Sequence, residues 1–291
     1  KLGLFETPFP NFNEYPDFGS EKHISQSLNA AREAITLVKN ESILPLSIEK
    51  KILVTGPGAN SLNYMNGGWT HTWQGDETIY NTPGKNTIQE SLKLLSPNVT
   101  YMEGSSLDSN INTAETLKEA ENHDVIIICL AEDPAAEGPA DINSLDFPKA
   151  QQNLVRELYK AGKPIVVVTT TARPRILREI EPFMNAILIG YLPGDEGGTA
   201  IAETIFGLNN PSGKLPFTYP KYQGLNITYD HKHTEKTNRF LGQTSSLSDY
   251  DAKFKGTVYQ WNFGYGLSYS SFEYSELKLD KKSYAKSDTI I

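Results

Sequence analysis

Four runs limit what this chain can become more than any other feature: KILVTG from Lys51, DVIIICLAE from Asp124, PIVVVTTT from Pro164 and NAILIGY from Asn185. None shows the alternation of a strand with one wet face. A strand that is apolar on both faces belongs in a parallel sheet covered on each side by helices. The intervening sequence supplies those helices: 86–96, 112–122 and 148–161 carry amphipathic spacing, and VTYME at 99–103 adds a short strand. DEGGTAIAETIF, from Asp195, reads as a closing helix with its acids in the first turn, where the helix dipole favours them. Ahead of the first strand, Ile24, Leu28, Ala31, Ile35 and Val38 fall on one helical stripe. The class that follows is α/β, a mainly parallel doubly wound sheet with helices on both faces, in short an α/β sandwich.

The alternation does not span the whole chain. Residues 1–22 are rich in aromatics, Pro and Asn without a period, and read as a linker or the tail of a preceding element. Residues 23–220 hold the sandwich. Residues 221–264 are polar and aromatic and read as a long connecting loop; residues 265–291 resemble the opening strands of a truncated antiparallel β domain.

Composition excludes several functions. The formal net charge of −8 argues against a nucleic-acid partner, which needs a basic face. No apolar run approaches the roughly 18 residues of a membrane span, and KLGLFETPFP lacks the basic start and apolar stretch of a secretion signal. Cys129, the single cysteine, sits in an apolar strand and reads as core. The five histidines show no metal-ligand spacing, His231 and His233 reading as solvated, so no metal or other cofactor is expected. GPG at 56–58 follows a strand but lacks the rest of a phosphate loop, which disfavours a nucleotide. Gly190, Gly194, Gly197 and Gly198 read as turn and helix-start positions, and the N-x-S/T triplets at Asn40, Asn98 and Asn226 are too common to decide anything.

In doubly wound sheets, ligands bind where loops leave the carboxyl ends of the strands. The loop after KILVTG, GPGANSLNYMNGGWTHTWQGDE, gathers two of the three tryptophans, Trp69 and Trp73, among glycines. An exposed tryptophan there needs a partner, either the chain's own core or the apolar face of a sugar. The loop after DVIIICL holds Glu132, Asp133, Glu137 and Asp141. Loop carboxylates are ordinarily solvated; their functional use would be acid–base work on a glycosidic bond, which requires a protonated acid beside the leaving oxygen and a second carboxylate across the sugar. Spacing does not choose among the four.

Taken in order, AREAITLVKNESILPL, GGWTHTWQGD, AEDPAAEGPAD, YLPGDEGGTAIAETIFGLNNPSGKLPFTYP and FGYGLSYSSF resemble family 3 glycoside hydrolases of the β-glucosidase and β-glucan exohydrolase type, over almost the whole chain. The resemblance implies a (β/α) barrel preceding this sandwich, with LGLFE at the barrel's end, and a fibronectin type III-like domain of which 265–291 would be the incomplete start. It implies a retaining, exo-acting hydrolase cutting β-glucosidic bonds at the non-reducing end. A barrel aspartate outside this chain would be the nucleophile, and a glutamate of the sandwich the acid/base. That glutamate falls on Glu137, with Glu132 the second candidate. Asp141 matches the loop's aspartate in a bracing role, Trp73 one wall of the sugar clamp, and Trp69 the first tryptophan of the motif, in a packing role. Ala135 and Ala140 depart from the tyrosine and glycine common in relatives. The expected partners are a β-glucan oligosaccharide or β-glucoside and the barrel of the same polypeptide, with no nucleic acid and no membrane span. A secreted or periplasmic setting follows from the substrate class alone. The chain on its own should be inactive. The alternative is a non-catalytic carbohydrate-binding or scaffolding module.

Overall fold

The computed structural model describes residues 2–9, 11–224, 259–276, 278, 281 and 283–286. His231, His233, Asn226 and most of the expected 221–264 loop lie outside the described residues.

Strand β4 (Val125–Ala131) is buried along its full length. Its side chains divide by parity: Val125, Ile127 and Cys129 enter one apolar core, and Ile126, Ile128 and Leu130 enter another on the opposite face. Burial pushes the Cys129 thiol well above its ordinary range, so it stays protonated and serves as a small apolar side chain. Strands β2 (Ile52–Thr55) and β5 (Ile165–Thr170) flank β4 in parallel register. Beyond them lie β3 (Val99–Tyr101), beside β2, and β6 (Ala186–Ile189), beside β5. The sheet is completed by β1 (Thr36–Asn40), antiparallel to β6, giving the order β1-β6-β5-β4-β2-β3.

Helices cover both faces. The first core takes α1 (Glu21–Ala34) through Ala31, α3 (Ile88–Leu95) through Ile88 and Leu92, and α6 (Gly197–Ile205) through Ala200, Ile201 and Ile205. The second takes Ala120 of α4 (Thr113–Ala120) and Leu154, Val155 and Leu158 of α5 (Lys149–Tyr159). Each fully buried branched side chain contributes about 1.5–3 kcal/mol relative to exposure, which is why the apolar runs decide the architecture. Local chemistry sets the boundaries: Thr87 and Glu90 form a reciprocal capping box that starts α3. A one-turn helix α2 (Asn63–Asn66) lies in the loop after β2.

Two expectations change. The helical stripe read through Ile35 and Val38 stops at Ala34, because Ile35 turns to ψ 124° and the chain continues as β1. Ile35 then packs in the first core and Val38 in the second, as a strand crossing the sheet edge requires. In α6, Glu196 is the N-cap residue rather than a first-turn acid, and Gly197 and Gly198 form the buried first turn. A two-stranded ribbon, β7 (Tyr219–Pro220) with β8 (Tyr259–Trp261), follows; Trp261 meets Tyr219 edge-on at 5.0 Å. Leu267 then bridges to Leu37 on the open side of β1. Among the described residues after Trp261, none lies in a further named strand.

The topology prepares one place for a ligand. Strand β2 leads into α3 on the first face, whereas its neighbour β4 leads into α5 on the second. Their following loops part there and leave a crevice at the carboxyl edge of the sheet.

Candidate functional site

A cavity of about 280 Å³ opens at that crevice. The loop after β2 lines it with Tyr64, Gly67, Gly68 and Trp69, and the loop after β4 with Glu132 through Glu137; Ala172, Arg173 and Leu192 close it from beyond β5 and β6.

The first loop is folded back on itself and tied at its base. Trp69 donates its backbone N–H to the Trp73 carbonyl at 2.9 Å, closing the tip. Asn63, itself buried, donates to the Gly75 carbonyl at 2.7 Å and accepts from Asn81 at 2.8 Å. Asp195, just before α6, accepts from Asn66 at 2.8 Å and Thr82 at 2.6 Å, and Glu196 pairs with Lys85. Gly68 lets this loop touch the second one: a Cβ there would stand 2.7 Å from the Ala135 carbonyl oxygen. Only a residue without a side chain allows that approach.

Both tryptophans stay outside the core. Trp69 is 69% exposed and lines the cavity; Trp73 is 49% exposed and lies beside it at the loop tip. Among the described residues Trp69 is absent from both apolar cores.

The four carboxylates singled out in the second loop have four different settings. Glu132 is buried and fully engaged. One oxygen meets both Arg173 and Arg175 at 2.7 Å, and the other accepts the Ala172 N–H at 3.2 Å. The two arginines reach on to the loop's backbone, Arg173 to the Ala140 carbonyl at 2.8 Å and Arg175 to those of Ser144 and Asp146 at 3.1 and 3.2 Å. Glu132 thus anchors the frame of the loop. Asp133 stands at the cavity rim, its carboxyl raised above the ordinary range by partial burial first and by the nearby Asp76 and Asp108 second. Tyr64, on the facing wall, is raised by burial and by the same acidic surroundings and keeps its phenolic proton. Asp141 is exposed just past the short 3₁₀ turn Gly138–Ala140, and its backbone N–H meets the Gly138 carbonyl at 3.0 Å.

Glu137 is the fourth. It is exposed, lines the cavity, and its carboxylate has no hydrogen-bond or ion-pair partner among the described residues. Its backbone sits at φ 57° and ψ −140°, a region that residues with a side chain rarely adopt. Such a conformation costs about 1–3 kcal/mol and clusters at functional positions. The flanking residue Ala136 is held by Gln74, whose side-chain amide accepts its N–H at 2.9 Å and donates to its carbonyl at 3.3 Å.

The structure therefore gathers Glu137, Trp69 and Glu132 around one cavity, whereas Trp73 and Asp141 are not among the residues that line it. Reading the sequence missed Gln74, Arg173, Arg175, Asn63 and Asp195. A signal existed for the arginines: TARPR follows directly on β5, at the sheet edge where ligands bind. Asparagine and glutamine carried none. Among the described residues no cluster of acids, histidines and cysteine could hold a metal ion.

Comparison with known proteins places the chain in a family. A family model described as the glycosyl hydrolase family 3 C-terminal domain matches residues 35–269. A lysosomal beta glucosidase of Dictyostelium discoideum is 35% identical over 291 residues, covering 95% of this chain and 33% of that protein. A periplasmic beta-glucosidase of Salmonella typhimurium is 30% identical, covering 96% of this chain and 40% of that protein. Among solved structures, a beta-glucosidase from Listeria innocua in complex with isofagomine superposes with a TM-score of 0.78 at 26% identity, covering 96% of this chain and 39% of that one. The chain thus spans between a third and two fifths of the length of these relatives.

Proposed function

The chain belongs to glycosyl hydrolase family 3, matching its C-terminal domain, and from that premise we propose that it supplies the general acid/base and part of the substrate cleft of a retaining, exo-acting β-glucosidase. One observation carries the proposal: an unpaired carboxylate, Glu137, is held at the mouth of a cavity on the carboxyl edge of a doubly wound sheet. Glu132, by contrast, is buried and committed to two guanidinium groups.

In this reading Glu137 protonates the leaving glycosidic oxygen and then, as carboxylate, draws a proton from the water that releases the sugar. The exposed face of Trp69, with Trp73 beside it, offers a stacking wall for the sugar beyond the cleaved bond. Asp141 braces the far end of the acid's loop. The nucleophile is a second carboxylate elsewhere in the polypeptide, about 5–5.5 Å from Glu137 when the cleft is assembled, the separation a covalent glycosyl-enzyme demands. We place that nucleophile on a barrel domain of the same polypeptide. Among the described residues no helix is long and apolar enough to cross a membrane. The periplasmic relative supports a secreted or periplasmic setting.

The test is Glu137→Ala in the full natural polypeptide. Turnover of an alkyl β-glucoside should fall about 10²–10⁴-fold. Azide should restore turnover of an activated aryl glucoside and give a β-glucosyl azide, the product of an enzyme that has lost its base but kept its nucleophile. A loss below about tenfold without azide rescue would instead assign the chain to a non-catalytic carbohydrate-binding module.

A further inference from the structure

Glu137 occupies a backbone conformation that it would not hold unaided, and strained residues persist only where the surroundings over-determine them. Two contacts do so here. On the N-terminal side, the Gln74 amide pairs with both backbone polar groups of Ala136, at 2.9 and 3.3 Å, much as a neighbouring strand would. On the C-terminal side, Arg173 donates to the Ala140 carbonyl at 2.8 Å while its Nε meets Glu132 at 2.7 Å. Glu132 in turn is fixed by Arg175 and the Ala172 N–H, so the second anchor rests on a buried frame.

We propose that Gln74 and Arg173 are positioning residues for Glu137, clamping the backbone on its two sides so that its carboxyl is aimed into the cleft. The inference rests on Glu137 being the acid/base. Between the anchors only Gly138 and Pro139 join Glu137; the short turn they form is closed by its own backbone, Ala140 N–H to the Glu137 carbonyl at 2.9 Å and Asp141 N–H to the Gly138 carbonyl at 3.0 Å, so the two side-chain anchors hold it as a unit. Release of either anchor lets residue 137 return to an ordinary backbone conformation and carries the carboxyl away from the leaving oxygen. A misplacement of about 1 Å is enough to lose ~10²-fold in rate.

Leaving-group dependence separates this role from a merely structural one. In the full natural polypeptide, Gln74→Ala should lower kcat/KM for phenyl β-glucoside, whose leaving group needs a proton, about 10–100-fold. With 2,4-dinitrophenyl β-glucoside, whose leaving group needs none, kcat/KM should stay within about threefold. Gln74→Glu keeps an acceptor for the shorter bond and should recover part of the phenyl-glucoside rate. It also carries the test if Gln74→Ala does not fold. Arg173→Lys should show the same selectivity as Gln74→Ala. Equal losses on both substrates, or none, would overturn the proposal. Glu137→Ala measured alongside tells the two failures apart: if it is selective and Gln74→Ala is not, the clamp alone is wrong. If Glu137→Ala is itself unselective, the acid/base assignment fails and the clamp with it.

Discussion

Asp133 and Glu137 are four residues apart and line one cavity, yet their surroundings differ. Asp133 is raised by partial burial and by Asp76 and Asp108, so its ionised form is less welcome in the folded chain than in the unfolded one. The sign of the linkage follows. Below the ordinary aspartate range the group is protonated in both states and has no effect on stability. As pH rises from the ordinary value towards the raised folded value, the unfolded chain ionises first and stability falls; above the folded value the whole penalty is in place. Asp133→Asn should therefore raise the thermal midpoint at pH 7, and the gain should shrink to nothing as the pH is lowered through the ordinary carboxylate range. A gain that persisted at low pH would place its origin elsewhere. The sequence singled out the four loop carboxylates but could not rank them from spacing, since what separates them is their partners. Glu132 meets Arg175, 43 positions away, and Ala136 meets Gln74, 62 positions away. Contacts between a side chain and a distant backbone group leave no periodic trace, and for that reason the clamp was invisible until the loops were seen together.

At the scale of elements, the interior strands were readable because burial on both faces forces an unbroken apolar run; of the two edge strands, β3 was read from VTYME and β1 was not. Strand β1 is five residues long and follows α1 after a single residue, so Ile35 and Val38 happened to prolong the helical spacing of Ile24, Leu28 and Ala31. An edge strand also presents unpaired backbone groups that a protein has to cover. Here the cover is the segment after β8: the Leu267 N–H donates to the Leu37 carbonyl at 2.7 Å, and Leu267 packs on the first core. Gly266 makes the fit possible, since a Cβ there would lie 2.3 Å from the Gly213 carbonyl oxygen, a backbone atom with little room to yield. Gly266→Ala should therefore destabilise the fold by about 1–3 kcal/mol. It should also increase self-association, as the edge of β1 loses its cover. Thermal unfolding and light scattering would report the two effects. An unchanged midpoint would show that the segment does not seal the sheet.

At the scale of the molecule, the retaining mechanism we propose sets what this chain can do alone. General acid–base transfer supplies about 10²–10⁴-fold, whereas enzymes reach 10⁶-fold and beyond over the uncatalysed reaction. The difference rests on the nucleophile, the grip on the sugar and the exclusion of water, and our proposal assigns the first of these to another part of the polypeptide. Our proposal puts a second body against the crevice, and exposed aromatics are what it would cover. Trp69 and Trp73 stand exposed beside the cavity, and in the segment before α1 Phe5, Phe9, Phe12 and Phe18 are exposed as well. Expressed by itself, the 291-residue chain should fold through its two cores yet leave 2,4-dinitrophenyl β-glucoside hydrolysing at the rate of buffer, and sedimentation should show it associating with itself as concentration rises. Joined to the remainder of its natural polypeptide, it should regain turnover and lose the self-association together, because the same docking would complete the carboxylate pair and cover the aromatics. Turnover by the lone chain would mean that the nucleophile lies within these residues, and the assignment of Glu137 as one half of a pair shared between domains would have to be abandoned.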